Sequence, residues 1–288
     1  MSDVTYYPDH PTAENLIAAL RQLPPTARVL SRLQKLLADP NSGLDDVASL
    51  IRLDASLTTR IIQISNSVWF GRGNPCKTIE DAVNRVGFRE IYRLVAVVAS
   101  GAMVAGPLAA YGRTTDIIWD ESVSCALAAE LIADSLSEDT AVAYTAGLLH
   151  AIGRQPINHY VETVHRGRVL TDEGFPREHS GSEFALLGFS QADVGATMLD
   201  KWDFSTAIVE PIRRQYEPLD AEEPHDRMAA VLFGARLLRT VLLHDDVLGE
   251  VPGENDILGH LRISRADLLD LRPMLEDQLV RIHQVTRI

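Results

Sequence analysis

His150 is the residue whose neighbours best suit it to chemistry. It follows the apolar run Ala146-Gly147-Leu148-Leu149 and precedes Ala151-Ile152-Gly153, a pattern that predicts a histidine near the end of a helix stopped by glycine. A neutral imidazole can bind a divalent metal or transfer a proton, and it can equally be a core side chain that is hydrogen-bonded to a neighbour. We favour the hydrogen-bonded core histidine.

No second residue completes a local catalytic or metal-binding motif. His159 and His165 lie six residues apart on a predicted helix, which places them on different faces. Cys76 and Cys125 are far apart, and we expect both to be reduced and packed. The chain has neither a glycine-rich phosphate-binding loop nor a G-x-S-x-G motif.

Composition restricts the classes of protein further. The chain has 288 residues, of which 46% are apolar, enough for one large domain or two small ones. Its net charge of -13 disfavours direct binding to nucleic acid. The polar N-terminus is unlike a signal peptide, and no apolar run is long enough to cross a bilayer. We therefore expect a cytoplasmic protein of bacterial type with no membrane partner.

Apolar residues recur at helical spacing through almost the whole chain. No stretch shows sustained alternation of polar and apolar residues with β-branched side chains, so the sequence predicts an all-α protein. Turn residues punctuate the pattern, and Asp54 or Ser56 and Thr78 are the predicted caps of two helices. We also expect an amphipathic helix over 226–243 and a last helix from about Ala266 to the C-terminus.

The order of these signals over about 65 residues resembles the N-terminal half of the HDOD family, whose name denotes an HD-related output domain. The matching pieces are Leu23-Pro24, Asp39-Pro40, Ile51-x-x-Asp54-x-x-Leu57, Asn66-Ser67, Phe70-Gly71 and Ile79-x-x-Ala82-Val83-x-x-Val86-Gly87. The resemblance implies a multi-helix domain like that of the HD phosphohydrolase superfamily, with an N-terminal helical subdomain. We place the boundary near Pro107–Thr115, giving an N-terminal half (1–112) and an HD-like half (113–288).

The run around His150 resembles the core motif of the HD superfamily, in which an adjacent His-Asp pair binds a metal. In this chain Ala151 stands in place of that aspartate. The resemblance also implies metal-binding histidines at three further places, where this chain has Glu121, Gln191 and the pair Gln215-Tyr216. Glutamine and tyrosine are poor ligands for the hard divalent ions of phosphate-ester cleavage. The resemblance therefore implies a degenerate site with no bound metal or other cofactor.

These readings favour a non-catalytic signal-transduction module that acts by binding a protein or ligand. The resemblance implies signalling partners of response-regulator or cyclic-dinucleotide pathways. The alternative is a divergent metal-dependent HD phosphohydrolase acting on a nucleotide or phosphodiester. A direct DNA regulator is the weakest interpretation, because the charge is wrong and no recognition helix stands out.

If there is no chemistry, the surface must carry the function, and the N-terminal half holds the candidate residues. Arg85, Arg89 and Arg93 fall at four-residue spacing, which predicts one helix face. Trp69, Phe70 and Arg72 lie in the preceding loop region. Aromatic and arginine side chains dominate binding energy at protein interfaces, so we take the six residues as a candidate partner-binding set: Trp69, Phe70, Arg72, Arg85, Arg89 and Arg93.

Overall fold

The structure is a computed structural model that describes residues 8, 11–20, 25–39, 41–67, 70–71, 74–103, 106–244, 249 and 251–286. These ranges contain helices and no β-strand; their extended pairing is a single bridge between Leu108 and Arg113. The all-α prediction is confirmed. None of the helices in these ranges is long and apolar enough to cross a membrane.

The chain forms two compact units that are not consecutive halves. One unit holds residues 23–103 and 274–288, and the other holds residues 1–22 and 104–273. The structure thus differs from the predicted division into 1–112 and 113–288. The N-terminal segment lies in the second unit because the fully buried Leu16 packs in one apolar cluster with Leu108, Ile157 and Val194, and burying such a side chain stabilises its position.

The first unit contains five helices with the predicted punctuation, followed by most of a C-terminal helix. They are α2 (Pro25–Ala38), α3 (Leu44–Ile51), α4 (Ala55–Ser65), α5 (Ile79–Val86), α6 (Phe88–Met103) and α16 (Arg272–Thr286). Asp54, not Ser56, caps α4 by accepting hydrogen bonds from two backbone N–H groups. Thr78 caps α5, and Gly87 ends it at φ 87°, a backbone conformation that favours glycine.

The second unit carries the remaining helices. They are α1 (Ala13–Ala19), α7 (Thr115–Leu136), α8 (Thr140–Leu149), α9 (Arg154–Val164), α10 (Ser180–Leu187), α11 (Gln191–Lys201), α12 (Thr206–Arg213), α13 (Asp226–His244), α14 (Glu254–Leu261) and α15 (Arg265–Leu269). Our prediction of a single last helix from about Ala266 is wrong, because α15 and α16 are separate helices. Pro273 is the second residue of α16, a position where the missing proline N–H costs nothing.

Helix α13 lies at the centre of this unit and packs against α7, α8 and α12. Every residue from Met228 to Val241 is buried, so the predicted amphipathic face is absent over this stretch. Two of the buried residues are Arg236 and Arg239. A charged side chain is almost never buried unless it is paired, so α13 requires acidic partners inside the unit.

Two glycines of the His150 run allow close backbone contacts on either side of it. A Cβ atom at Gly147 would lie 2.6 Å from the carbonyl oxygen of Cys125, and one at Gly153 would lie 2.6 Å from the backbone nitrogen of Gly195. Neither distance is possible for a real side chain. The glycines therefore let the end of α8 approach α7 on one side and α11 on the other, and this fixes the position of His150.

Candidate functional site

His150 brings together residues from three helix ends. Its carbonyl oxygen accepts hydrogen bonds from Gln191 Nε2 (3.1 Å) and from Gln215 Nε2 (2.8 Å). The same nitrogen of Gln191 donates to the hydroxyl of Tyr216 over 3.0 Å. Four of the residues singled out in the sequence thus lie together, because α8, α11 and α12 all end or begin at this place.

The imidazole of His150 is fully buried and neutral. Its Nδ1 atom lies 2.7 Å from the carbonyl oxygen of Gly147. A carbonyl can only accept, so Nδ1 carries the proton and Nε2 holds the lone pair. Within the described residues Nε2 has no hydrogen-bond partner. Burial, and after it the charge of Arg239, lowers the pKa of His150 to about 3.

Glu121 reaches the site from α7 and binds arginines. Its Oε2 atom accepts a hydrogen bond of 3.0 Å from Arg154 Nη1, and its Oε1 atom accepts one of 3.1 Å from Arg113 Nε. Arg239 Nη1 lies 3.5 Å from Oε1. Ala151, half-buried in the turn between α8 and α9, contributes no polar side-chain atom.

Glu178 is the second carboxylate of a group of ion-paired side chains that we call the arginine–carboxylate cluster. Its members are Glu121, Glu178, Arg113, Arg154, Arg236 and Arg239. Glu178 pairs with Arg154, with Arg236 Nη2 at 3.2 Å and with Arg239 Nη2 at 3.4 Å. Burial by itself would raise the pKa of Glu178, but the guanidinium groups of Arg236, Arg154 and Arg239 outweigh burial and hold this pKa well below its usual value. Burial likewise opposes the charge of Arg154, yet Glu178 and Glu121 raise the pKa of its guanidinium group. Glu178 and Arg154 are therefore both ionised at neutral pH.

Arg236 joins this cluster to the residues around His150. It is fully buried, and it donates hydrogen bonds of 2.7 Å from Nη1 to the carbonyl oxygen of Gln215 and from Nη2 to that of Pro176. Its guanidinium carbon lies 4.7 Å from the centre of the Tyr216 ring, within the range of a cation–π interaction. One arginine from α13 thus contacts the loop before α10 and the end of α12.

A further carboxyl group, Glu183 on α10, is hydrogen-bonded but makes no ion pair within the described residues. It accepts a hydrogen bond of 2.9 Å from the Tyr111 hydroxyl and one of 2.6 Å from the backbone N–H of Gln191. Burial raises the pKa of Glu183. This residue fixes the start of α11, and with it the side chain of Gln191.

The sequence did not point to the arginines and to the second carboxylate of this cluster. Arg154, Arg236, Arg239 and Glu178 are distant in sequence and belong to no motif. A usable signal was present in α13, where Arg236 and Arg239 interrupt the run Met228–Val241, in which most of the other residues are apolar. A helix that is apolar all round is buried, so arginines within it must meet acidic partners.

The candidate partner-binding residues lie in the other unit, and the structure describes four of the six. Trp69 and Arg72 lie outside the described residues. Arg85 donates to the backbone carbonyl of Asn74 and to the Asn66 side chain, so it holds the loop between α4 and α5.

Of the other described candidates, Phe70 lies in this loop, and Arg89 and Arg93 lie on α6 after Gly87. Phe70 is half-buried. Arg89 is exposed on α6, and Arg93 forms a 3.1 Å ion pair with Glu90 one turn away. The prediction that Arg85, Arg89 and Arg93 share one helix face is wrong, because Gly87 separates α5 from α6.

The helical architecture and the residues around His150 define an HD-like domain, and comparison with known families identifies it. The sequence matches the HDOD domain over residues 23–218, which is more than half of the chain. The chain belongs to the HDOD family, as the sequence analysis predicted.

Individual relatives are distant. The chain is 23% identical over 236 residues to an uncharacterised protein of Treponema pallidum (strain Nichols), a match that covers 79% of this chain and 44% of the relative. Two crystal structures share the fold. One, from Marinobacter aquaeolei VT8, is provisionally named a signal transduction protein; its TM-score is 0.71 at 23% identity, covering 96% of this chain and 61% of that chain. The other, from Shewanella amazonensis SB2B, is provisionally named a phosphohydrolase; its TM-score is 0.61 at 22% identity, covering 95% of each chain.

This chain thus spans less than half of the Treponema relative and about three fifths of the Marinobacter chain.

Proposed function

We propose that this HDOD protein is a non-catalytic signal-transduction module that acts by binding a protein or ligand. One observation carries the proposal: Glu121, at the place where the family resemblance implies a metal-binding histidine, is ion-paired with arginines. Arg154 and Arg113 each bind one of its oxygens, at 3.0 and 3.1 Å. Both oxygens are thus engaged by cations of the protein itself.

A divalent metal fits this donor set poorly. Within the described residues, no three His, Cys, Asp or Glu side chains converge as metal ligands. Of the acidic groups near His150, Glu121 and Glu178 are bound by arginines, and an incoming cation would be repelled by those same guanidinium groups at short range in a weakly screening interior. The amide nitrogens of Gln191 and Gln215 donate to the His150 carbonyl. Their amide oxygens have no hydrogen-bond partner among the described residues, but they are neutral and supply no charge to balance a divalent ion.

The second candidate function is a divergent metal-dependent phosphohydrolase. The observation in its favour is the unpaired lone pair on His150 Nε2, which is buried and neutral as a metal ligand must be. The provisional name of the Shewanella structure points the same way, and that of the Marinobacter structure favours signalling. We rank the phosphohydrolase second because a single imidazole is not enough to hold a catalytic metal.

Hydrolysis assays distinguish the two functions. The purified chain would be incubated with Mn²⁺, Mg²⁺ or Zn²⁺ and with bis(p-nitrophenyl) phosphate, p-nitrophenyl phosphate or nucleotides, beside a His150→Ala variant. We expect the same background rate from both proteins. Metal-dependent turnover that His150→Ala abolishes would establish the phosphohydrolase instead.

We further propose that the partner surface lies on the unit formed by residues 23–103 and 274–288, around Phe70 and the N-terminal turns of α6. Arg89 is exposed there, and Arg93 is bound to the neighbouring Glu90 rather than buried in the core. A basic edge on a chain of net charge -13 suits an acidic partner. Arg85 is a less suitable contact residue because it holds the loop.

Affinity capture followed by mass spectrometry tests this surface. The bait would be the full chain carrying Arg89→Glu and Arg93→Glu, and the control would carry Arg32→Glu and Arg52→Glu, two exposed arginines of the same unit. Both baits change the net charge equally. We expect the first to lose partners that wild type and control retain, and equal capture by all three would rule out this surface.

A further inference from the structure

A groove of about 830 Å³ lies on the surface of the unit formed by residues 1–22 and 104–273. Its walls come from the loop before α10, from α10 itself, from the start of α11 and from the end of α12. Four aromatic side chains and two prolines line it: Phe175, Pro176, Phe184, Phe189, Tyr216 and Pro252. We call this surface the aromatic groove. It is large enough to receive side chains of another molecule.

Helix α10 turns an aromatic side chain towards solvent at this groove and a carboxyl group towards the core. Phe184 is 59% exposed, whereas the neighbouring Glu183 is fully buried. Glu183 is held inside by hydrogen bonds from the Tyr111 hydroxyl and from the backbone N–H of Gln191. One exposed apolar side chain is ordinary, but an exposed phenylalanine beside three further aromatic rings is typical of an interaction surface.

The free charges of the aromatic groove balance one another. Asp193 accepts hydrogen bonds from Ser190 at the start of α11, and Arg213 is ion-paired with Glu210. The other charged side chains of the lining are exposed and make no ion pair within the described residues. They are two arginines and two glutamates: Glu173, Arg177, Arg214 and Glu217. The free charge of the groove is therefore zero.

This balance restricts the kind of partner that fits the groove. An acidic partner would require an excess of free arginines, and a basic partner would require an excess of free carboxylates. A second copy of the chain brings the same groove, with two free charges of each sign and an exposed phenylalanine. A two-fold symmetric contact needs a surface that is complementary to itself in this way.

The charge of the whole chain supports the same choice. A net charge of -13 makes two copies repel each other over most of their surface. A locally neutral surface with an aromatic centre is where that repulsion is least, and there the burial of apolar area can outweigh it.

We propose that the aromatic groove is the contact surface of a homodimer, in which Phe184 of each copy packs into the groove of the other. The free arginines of each copy then face the free glutamates of its partner. The proposal does not depend on the partner surface suggested above, because that surface lies on the other unit. A dimer would present two such partner surfaces to a signalling protein.

Sedimentation velocity of the full chain at increasing concentration tests this proposal. One groove of this size gives a small interface, so we expect weak association with a Kd on the order of 10–100 μM. Phe184→Glu should weaken association by at least about tenfold. Val169→Glu is the matched control, because Val169 is 63% exposed on the same unit and does not line the groove.

Paired charge reversals test the predicted facing of arginines and glutamates. Arg177→Glu with Arg214→Glu leaves free charges of one sign in the groove, and Glu173→Arg with Glu217→Arg leaves free charges of the opposite sign. We expect each double variant to be monomeric alone, because like charges then face each other. An equimolar mixture of the two should form a heterodimer.

Arg166→Glu with Arg168→Glu is the control for net charge. Both residues are exposed on the same unit and lie outside the groove, and the net charge changes as much as in the first double variant. This control should dimerise like the wild type. Melting temperatures near the wild-type value would show that all the variants are folded.

Three results would overturn the proposal. One is a wild-type chain that stays monomeric at several hundred micromolar, on the order of ten times the expected Kd. Another is a dimer that Phe184→Glu and Val169→Glu weaken equally. The third is a mixture of the two charge-reversal variants that associates no better than either variant alone.

Discussion

Arg154 Nη1 lies 3.0 Å from Glu121 Oε2, and both side chains are buried. Glu121 stands where the family resemblance implies a metal-binding histidine. In this chain the group that contacts the residue at this position is the guanidinium group of Arg154. A second bond joins the same guanidinium group to Glu178. The guanidinium group of Arg154 ties α7 and α9 to the loop before α10.

Replacing Arg154 with methionine should destabilise the protein by about 3 kcal/mol, because removing one partner of a buried ion pair leaves the other charge uncompensated. Urea unfolding at pH 7 measures the change. Arg177→Met serves as the control, since Arg177 is exposed and makes no ion pair among the described residues; its effect should stay within about 0.5 kcal/mol. Equal stability of the two variants would show that the ion pair is not structural.

Gly153→Ala should destabilise the protein by more than about 2 kcal/mol, since the added Cβ would meet the backbone of α11 at Gly195 and force helices apart. Gly259→Ala is the matched control. Gly259 lies inside α14 and has nothing within 4 Å of its added Cβ, so alanine should stabilise that helix by about 0.5–1 kcal/mol. If Gly153→Ala and Gly259→Ala shifted the melting temperature in the same direction, the close approach of Gly153 to the backbone of α11 would be contradicted.

Stability should fall as the pH is lowered from neutrality. The pKa of His150 is about 3 in the folded protein because of burial, against about 6.5 when unfolded, so the unfolded chain binds the proton first. Between these values stability falls by up to about 1.4 kcal/mol per pH unit for this one group. Glu178, whose folded pKa is depressed by three arginines, adds a further loss below about pH 4.5.

His150→Gln tests this pH dependence, because it removes the titrating group and keeps a polar side chain. Unfolding free energies at pH 7, 6 and 5 should decline less steeply in the variant than in wild type. The slope left in the variant includes His179, whose pKa burial also lowers. Identical slopes for the two proteins would mean that His150 is not held neutral by burial.

Ala151→Asp restores the adjacent His-Asp sequence of the HD superfamily, yet we expect no metal-dependent hydrolysis. The other positions still hold Glu121, Gln191 and Gln215, which are engaged in the contacts described above. The new carboxylate at this half-buried position should cost about 1–3 kcal/mol of stability. A melting temperature in metal-free buffer that is unchanged or raised would show that this place is neither packed nor dry.

The sequence was sufficient for most of the helices and their ends, because these depend on local signals, but it missed the break between α15 and α16. The caps at Asp54 and Thr78 and the stop at Gly87 are each read from a few neighbouring residues. The meeting of His150 with Gln191, Gln215 and Tyr216 was not readable from spacing; it followed from the resemblance to a family whose ligand positions converge.

The arginine–carboxylate cluster could not be predicted in the same way. The ion pair between Arg239 and Glu121 joins residues more than a hundred positions apart, and a lone arginine in a helix is ordinarily a solvated surface residue. Only burial of α13 from Met228 to Val241, set by packing against α7, α8 and α12, makes Arg236 and Arg239 interior cations. That burial depends on the tertiary structure and not on a motif.

The most direct test of the central claim is the metal content of the purified chain after equilibrium dialysis against Mn²⁺ and against Zn²⁺, measured by elemental analysis with the His150→Ala variant alongside. The arginine–carboxylate cluster predicts well below one ion per chain for both proteins, and no difference between them. One tightly held ion per wild-type chain that is lost in His150→Ala would contradict it.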